Sequence, residues 1–167
     1  MLLETERLFI RDLALEDAEA LFSIYQNEEL MRFQGGVPSS LVDEREAVKS
    51  HIEKYYKKNG FGLWAVVLKE TNTVIGRSGL LLSEIEGERR TEISYLIGRE
   101  YWGQGLAKEA SSAVINYAFE NLKIEKIFAC IEPLNISSLR VAEKLQMSNI
   151  GESLYKGKNV RLYVKGN

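Results

Sequence analysis

A chain of 167 residues is long enough for one domain with a substantial apolar core. Its 45% hydrophobic and 28% charged residues are ordinary for a globular protein and exclude a disordered one. A net charge of −2 with both signs interspersed disfavours nucleic acid as the main partner, while allowing a local basic patch for a phosphorylated ligand.

The opening MLLETERLFIRDL is studded with charge and lacks the basic-then-apolar order of a secretory signal; no window is apolar for long enough to span a bilayer. The one cysteine, Cys130, rules out an internal disulfide framework and fits a reducing, cytoplasmic setting. It sits in the apolar run KIFACIE, where a buried core thiol is expected rather than a nucleophile. The one histidine, His51, has no Cys or His neighbour in sequence, so a structural role is expected and no metal.

LLETERLFIRDL alternates apolar and charged residues and predicts a first strand. A helix follows over Leu15–Asn27, with Glu16 and Asp17 suited to the positive end of its dipole. MRFQGGVPSS reads as a loop, and Ser39 or Ser40 as the cap of a helix over Val42–Lys58. The period then changes to two. FGLWAVVLKE, TVIGRSGLLLSEI and RTEISYLIG are three strands with short turns between them, an antiparallel meander. Gln104–Asn121 carries Leu106, Ala107, Ala110, Ala113, Val114, Tyr117 and Ala118 at helical spacing. The strand IEKIFACIE, a helix over Asn135–Gln146 and a closing hairpin through KGK complete one mixed α/β domain over residues 1–167. Strand, glycine turn, helix and strand across residues 91–131 form a βαβ crossover, whose two strands should be parallel neighbours.

The turn in that crossover is YWGQGLAKEA. The first N–H groups of a helix are unpaired and carry the positive end of its dipole, and Gly103 and Gly105 let an anion approach them. A diphosphate suits such a cradle. A P-loop would need Gly-Lys-Ser/Thr, whereas Lys108 stands between Ala107 and Glu109. A dinucleotide fold would need a third glycine, a later acidic residue and a parallel sheet from the start.

TERLFIRDL, TEISYLIGREYWGQGLAKEA and NISSLRVAEKLQM together resemble the GNAT superfamily of acyl-CoA-dependent N-acetyltransferases, in its RimJ/RimL-like branch. The likeness runs over nearly the whole chain. Trp102, Gly105 and Ala107 fill the superfamily's loop pattern, with tryptophan as the branch's usual first residue; Gln146 and Met147 depart from the Gly-Phe that usually ends the late helix.

The resemblance implies a GNAT-like mixed sheet whose parallel strands splay apart around the pantetheine of acetyl-CoA. Main-chain groups of Tyr95, Leu96 and Ile97 are expected to pair with that arm, and the loop Trp102, Gly103, Gln104, Gly105, Leu106 and Ala107 to hold the pyrophosphate. Asn135 and Ser138 match residues near the arm and the thioester sulfur, although each also reads as a helix cap; Lys108, Arg140 or Lys144 would meet the 3′-phosphate. Glu92 is expected either as the general base or as a solvent-facing strand residue paired with Arg89 or Arg90, with Glu152 a second choice of base, and an N–H near Leu96 is the expected oxyanion donor. Ala142 stands where many relatives have a tyrosine, so Ser138 is the expected donor to the leaving thiolate. The amine acceptor, a peptide N-terminus or a small molecule, would be walled by the first two helices, the loop MRFQGGVPSS and the last hairpin, with Tyr25, Phe33 and Trp64 either lining it or in the core. The resemblance implies neither a metal nor a membrane, and a monomer or homodimer. The rival reading is a non-catalytic acyl-CoA sensor.

Overall fold

The computed structural model describes residues 2–167, so Met1 lies outside the described residues. The single opening strand is instead a hairpin of β1 (Leu2–Glu4) and β2 (Leu8–Arg11), with Leu3 opposite Ile10. Thr5 closes the turn: its N–H donates to Leu8 O at 2.9 Å and its Oγ1 accepts the Leu8 N–H at 3.0 Å. Alternation has the same period in one strand and in two short antiparallel ones, so the turn decides.

Helix α1 (Asp17–Tyr25) is tied to β2 through buried Asp17, which accepts Arg11 Nη1 at 2.7 Å, Arg11 Nη2 at 2.8 Å and the Ala14 N–H at 2.8 Å. A short α2 (Glu28–Met31) follows, capped by Asn27. Ser40 caps α3 (Leu41–Ser50) by accepting the Asp43 N–H at 3.1 Å. The expected helix over Val42–Lys58 does not stay α-helical. It widens to a π-helix over His51–Tyr56 before α4 (Lys57–Asn59) ends at Gly60, with φ of +73°. The wide turn aims side chains at backbone donors in and beside the sheet: Tyr55 OH accepts Leu82 N–H at 2.6 Å, Tyr56 OH accepts Leu13 N–H at 3.1 Å, and His51 Nε2 accepts Leu63 N–H at 2.8 Å.

The meander is β3 (Leu63–Leu68), β4 (Thr73–Ile85) and β5 (Glu88–Ile97). A 3₁₀ turn over Arg99–Tyr101 and the glycine loop lead into α5 (Leu106–Glu120) and then β6 (Lys126–Ile131). Helix α6 (Ile136–Lys144) precedes the hairpin β7 (Ser148–Tyr155) and β8 (Lys158–Gly166). The two-residue turn of that hairpin needs positive φ twice, and Lys156 (+49°) and Gly157 (+78°) supply it.

The strands form one open mixed sheet in the order β1-β2-β3-β4-β5-β6-β8-β7, antiparallel throughout except between β5 and β6. Strand β3 is apolar along its whole length because both faces are covered. Trp64 and Val66 face the α5 side with Leu80, Ile93, Ile97 and Val114, while Ala65 and Val67 face α1 and α3 with Leu21, Tyr25 and Leu96.

Candidate active site

Strands β4 and β5 pair continuously from Gly76↔Ile97 to Ile85↔Glu88, but β5 and β6 meet at one residue pair, Glu92↔Phe128. Beyond this bridge the two parallel strands separate, leaving the edge of β5 from Ser94 onward unpaired on that side. Main-chain groups alternate along a strand. Gly98 N–H donates to Ile75 O at 2.8 Å in the β4 register, which turns the main chain of Leu96 toward β4 as well. Tyr95 and Ile97 therefore face the gap, and Leu96, expected there, does not. Its side chain is in the core under α1 and α3. Ile97 O already accepts Trp102 Nε1 at 2.7 Å, which leaves the Ile97 N–H and both groups of Tyr95.

At the end of β5 the glycine loop is an array of unused donors. Among the described residues, no protein acceptor takes the N–H of Gly103, Gln104, Gly105, Leu106, Ala107 or Lys108; Glu109 N–H is the first to return, to Gly105 O at 3.0 Å. Gly103 and Gly105 adopt φ of +78° and +79°. A Cβ at Gly105 would come no nearer than 3.8 Å to another group, so its glycine is required by conformation, not by space. Leu106 is buried in the core and anchors the helix start. Trp102 differs from the rest of the loop: its N–H donates to Arg99 O, its indole is spent on Ile97 O, and Arg99 lies over its ring at 4.6 Å. It seals the loop against β5.

Across the gap, Tyr95 OH donates to Ser138 O at 3.1 Å and ties β5 to α6. Burial raises the pKa of this hydroxyl, so it stays a donor. Asn135 caps α6, its Oδ1 accepting Ser138 N–H at 3.2 Å and Ser137 Oγ at 3.0 Å. Ser138 is half-buried, and its side chain lies within hydrogen-bonding reach of the Tyr95 hydroxyl. Lys108, Arg140 and Lys144 are all exposed.

Glu92 stands where β5 and β6 part. Only 8% exposed, it forms no ion pair with Arg89 or Arg90; Arg90 instead pairs with Glu86 and Glu88. Its Oε2 accepts Ser83 Oγ at 2.6 Å and Tyr155 OH at 2.7 Å, and those two oxygens are 3.1 Å apart. Oε1 takes no hydrogen bond among the described residues. A buried carboxylate held by two hydroxyls with one oxygen unspent can accept a proton. Ser83 and Tyr155 escape a sequence reading because only the register of β4 and the closing hairpin bring them to β5. Glu152 is exposed on β7 opposite Arg161 and does not join this cluster.

Trp64 and Tyr25, each 2% exposed, are core residues and line no open wall. Trp64 packs edge-on to Tyr117 with ring centroids 5.9 Å apart. Burial, then the charge of Glu92, pushes the Cys130 thiol up to about 12, which keeps it protonated and poorly nucleophilic. Among the described residues, no group of three or more His, Cys, Asp or Glu could hold a metal ion, and no helix is long and apolar enough to cross a membrane.

An open mixed sheet parted at its one parallel pair, beside a helix start with unspent donors, is the fold of solved GNAT acetyltransferases. Comparison with known proteins agrees. The family model for the acetyltransferase (GNAT) domain matches residues 7–148. The uncharacterized N-acetyltransferase p20 of Bacillus licheniformis is 32% identical over 149 residues, covering 89% of this chain and 83% of its own. A GNAT-family acetyltransferase from Bacillus anthracis superposes with a TM-score of 0.82 at 26% identity, over 99% of this chain and 98% of its own. A RimL ribosomal L7/L12 α-N-protein acetyltransferase in complex with coenzyme A shares the fold, with a TM-score of 0.81 at 16% identity over 99% and 98%. The chain belongs to the GNAT acetyltransferase family.

Proposed function

We propose that this protein is a cytoplasmic enzyme, one domain over its length, that transfers the acetyl group of acetyl-CoA directly to a primary amine within a ternary complex. The observation that carries this reading is the run of six unpaired N–H groups from Gly103 to Lys108 beside the unpaired edge of β5. The loop's donors take the pyrophosphate; Tyr95 and the Ile97 N–H pair with the pantetheine arm like an added strand; Asn135 Nδ2 and Ser138 border it from α6. Lys108, Arg140 and Lys144 are the cations from which the 3′-phosphate draws its partner. No metal enters the reaction.

The acceptor must be neutral to attack. A protein α-amino group, with a pKa of about 7.7–8.0, needs much less help at neutral pH than a lysine at about 10.4, which favours N-terminal acceptors of the RimJ/RimL kind. Glu92 accepts the amine proton through Oε1, directly or by way of one water, as the new C–N bond forms. The N–H of Tyr95 or Ile97 stabilises the oxyanion. Collapse breaks the C–S bond, and Ser138 Oγ donates to the departing thiolate, which takes up a proton to leave as CoA.

Calorimetry with CoA, followed by acetyl-CoA turnover over a panel of short peptides and small amines, tests this reading. CoA binding with peptide-dependent release of thiol is the expected result. CoA binding without turnover on any amine makes the protein a sensor, and no CoA binding overturns the reading altogether.

A further inference from the structure

The β1–β2 turn reaches across to the glycine loop through one side chain. Arg7 donates from Nη1 to Gln104 O at 3.0 Å and from Nε to Glu109 Oε2 at 2.8 Å, with Nη2 2.6 Å from the same oxygen. The other oxygen, Oε1, accepts the Arg7 N–H at 2.9 Å and Thr5 Oγ1 at 2.6 Å. Glu109 is thus fully engaged on the first turn of α5, and the turn and the loop are locked to each other.

The bond to Gln104 O has a directional consequence. In a trans peptide the carbonyl and the next N–H point opposite ways. Holding the Gln104 carbonyl on the Arg7 side therefore turns the Gly105 N–H, in the same peptide unit, to the other side. Glycine at positive φ does not supply that orientation by itself, since Gly105 is free of steric contact. A planar guanidinium can serve the carbonyl and the carboxylate together; an ammonium on a flexible stem cannot hold both in one plane.

We propose that Arg7 is a positioning residue for the cofactor loop: clamped by Glu109, it fixes the peptide plane that presents the Gly105 N–H to the pyrophosphate. This rests on reading that loop as the pyrophosphate cradle. The alternative is that Arg7 meets a ligand phosphate itself, since it is 43% exposed and, with Lys108 and Gly105, borders a groove of about 670 Å³ along α5. None of that groove's lining residues comes from β5, β6 or α6, so it lies apart from the gap between the parallel strands.

The two roles predict opposite signs for Glu109→Gln. Removing a negative charge near an anionic ligand tightens binding if Arg7 acts by charge, but weakens it if the clamp positions the loop. The experiment is calorimetry of CoA and of dephospho-CoA, which keeps the diphosphate, with wild type, Arg7→Lys and Glu109→Gln. The expected result is weakening by roughly ten- to a hundredfold in both variants, equal for the two ligands, as for loss of one charge-assisted hydrogen bond. Variants that fold less well bind with reduced stoichiometry and unchanged Kd, which overturns the proposal. So does tighter binding by Glu109→Gln, or a loss confined to CoA. Wild type that binds neither ligand removes the cradle reading itself; wild-type binding with unaltered Kd in both variants removes only the role of Arg7.

Discussion

The Tyr155 hydroxyl stands 2.7 Å from Glu92 Oε2, across 63 residues of chain. With Ser83 it replaces the ion pair that a glutamate beside Arg89 and Arg90 suggests. Glu92→Gln is expected to lower kcat by about 10²–10⁴-fold and to leave CoA affinity intact. Tyr155→Phe removes a hydrogen bond that orients the carboxylate, so kcat should fall with CoA affinity likewise intact. Steady-state kinetics and calorimetry check both, and unaltered turnover in Glu92→Gln would eliminate it as the base.

Gly105 tests the loop independently of charge. Gly105→Ala places a Cβ in the left-handed region, at a cost of about 1–2 kcal/mol, with no clash to relieve. The loop should relax toward negative φ and lose donors, raising the KM for acetyl-CoA roughly tenfold while kcat at saturation changes little. An equal fall in kcat with constant KM would mean that the glycine serves folding alone.

Ser138 carries its hydroxyl beside Tyr95, on the helix that Tyr95 ties to β5. Ser138→Ala should lower kcat more than it weakens acetyl-CoA binding, because a thiolate exists only as the C–S bond breaks. Intact turnover with a good acceptor would show that the thiolate leaves unaided.

His51 makes stability depend on pH. Burial, then the charge of Arg77, holds its pKa down to about 4, and its Nε2 accepts the Leu63 N–H at 2.8 Å only when neutral. The unfolded chain protonates it near pH 6.5, so between those values the unfolded state binds more protons. Stability is therefore highest above about pH 6.5 and declines as pH falls toward 4, by an amount of order 1 kcal/mol for a ring partly open to solvent. His51→Gln, which offers an acceptor that does not titrate, should flatten this part of the Tm–pH curve. An unchanged slope would assign the pH dependence to other groups.

The chain by itself determined the order of elements, the βαβ crossover and the glycine loop, because each depends on local chemistry. Residue period, turn composition and the demand for positive φ at Gly105 are all written within a few neighbours. The tertiary structure decided what depends on register and distant partners. The first alternating run became a hairpin because Thr5 bonds back to Leu8. The second long helix opened into a π-turn because Tyr55, Tyr56 and His51 satisfy backbone donors in and beside the sheet. Leu96 turned away from the gap because its parity with Gly98 commits it to β4. Trp64 and Tyr25 went to the core because apolar area outweighs their polar tips. Ser83 and Tyr155 came to Glu92, and Arg7 to Gln104, only because the sheet brings segments far apart in sequence within hydrogen-bonding distance, a length scale no local pattern encodes.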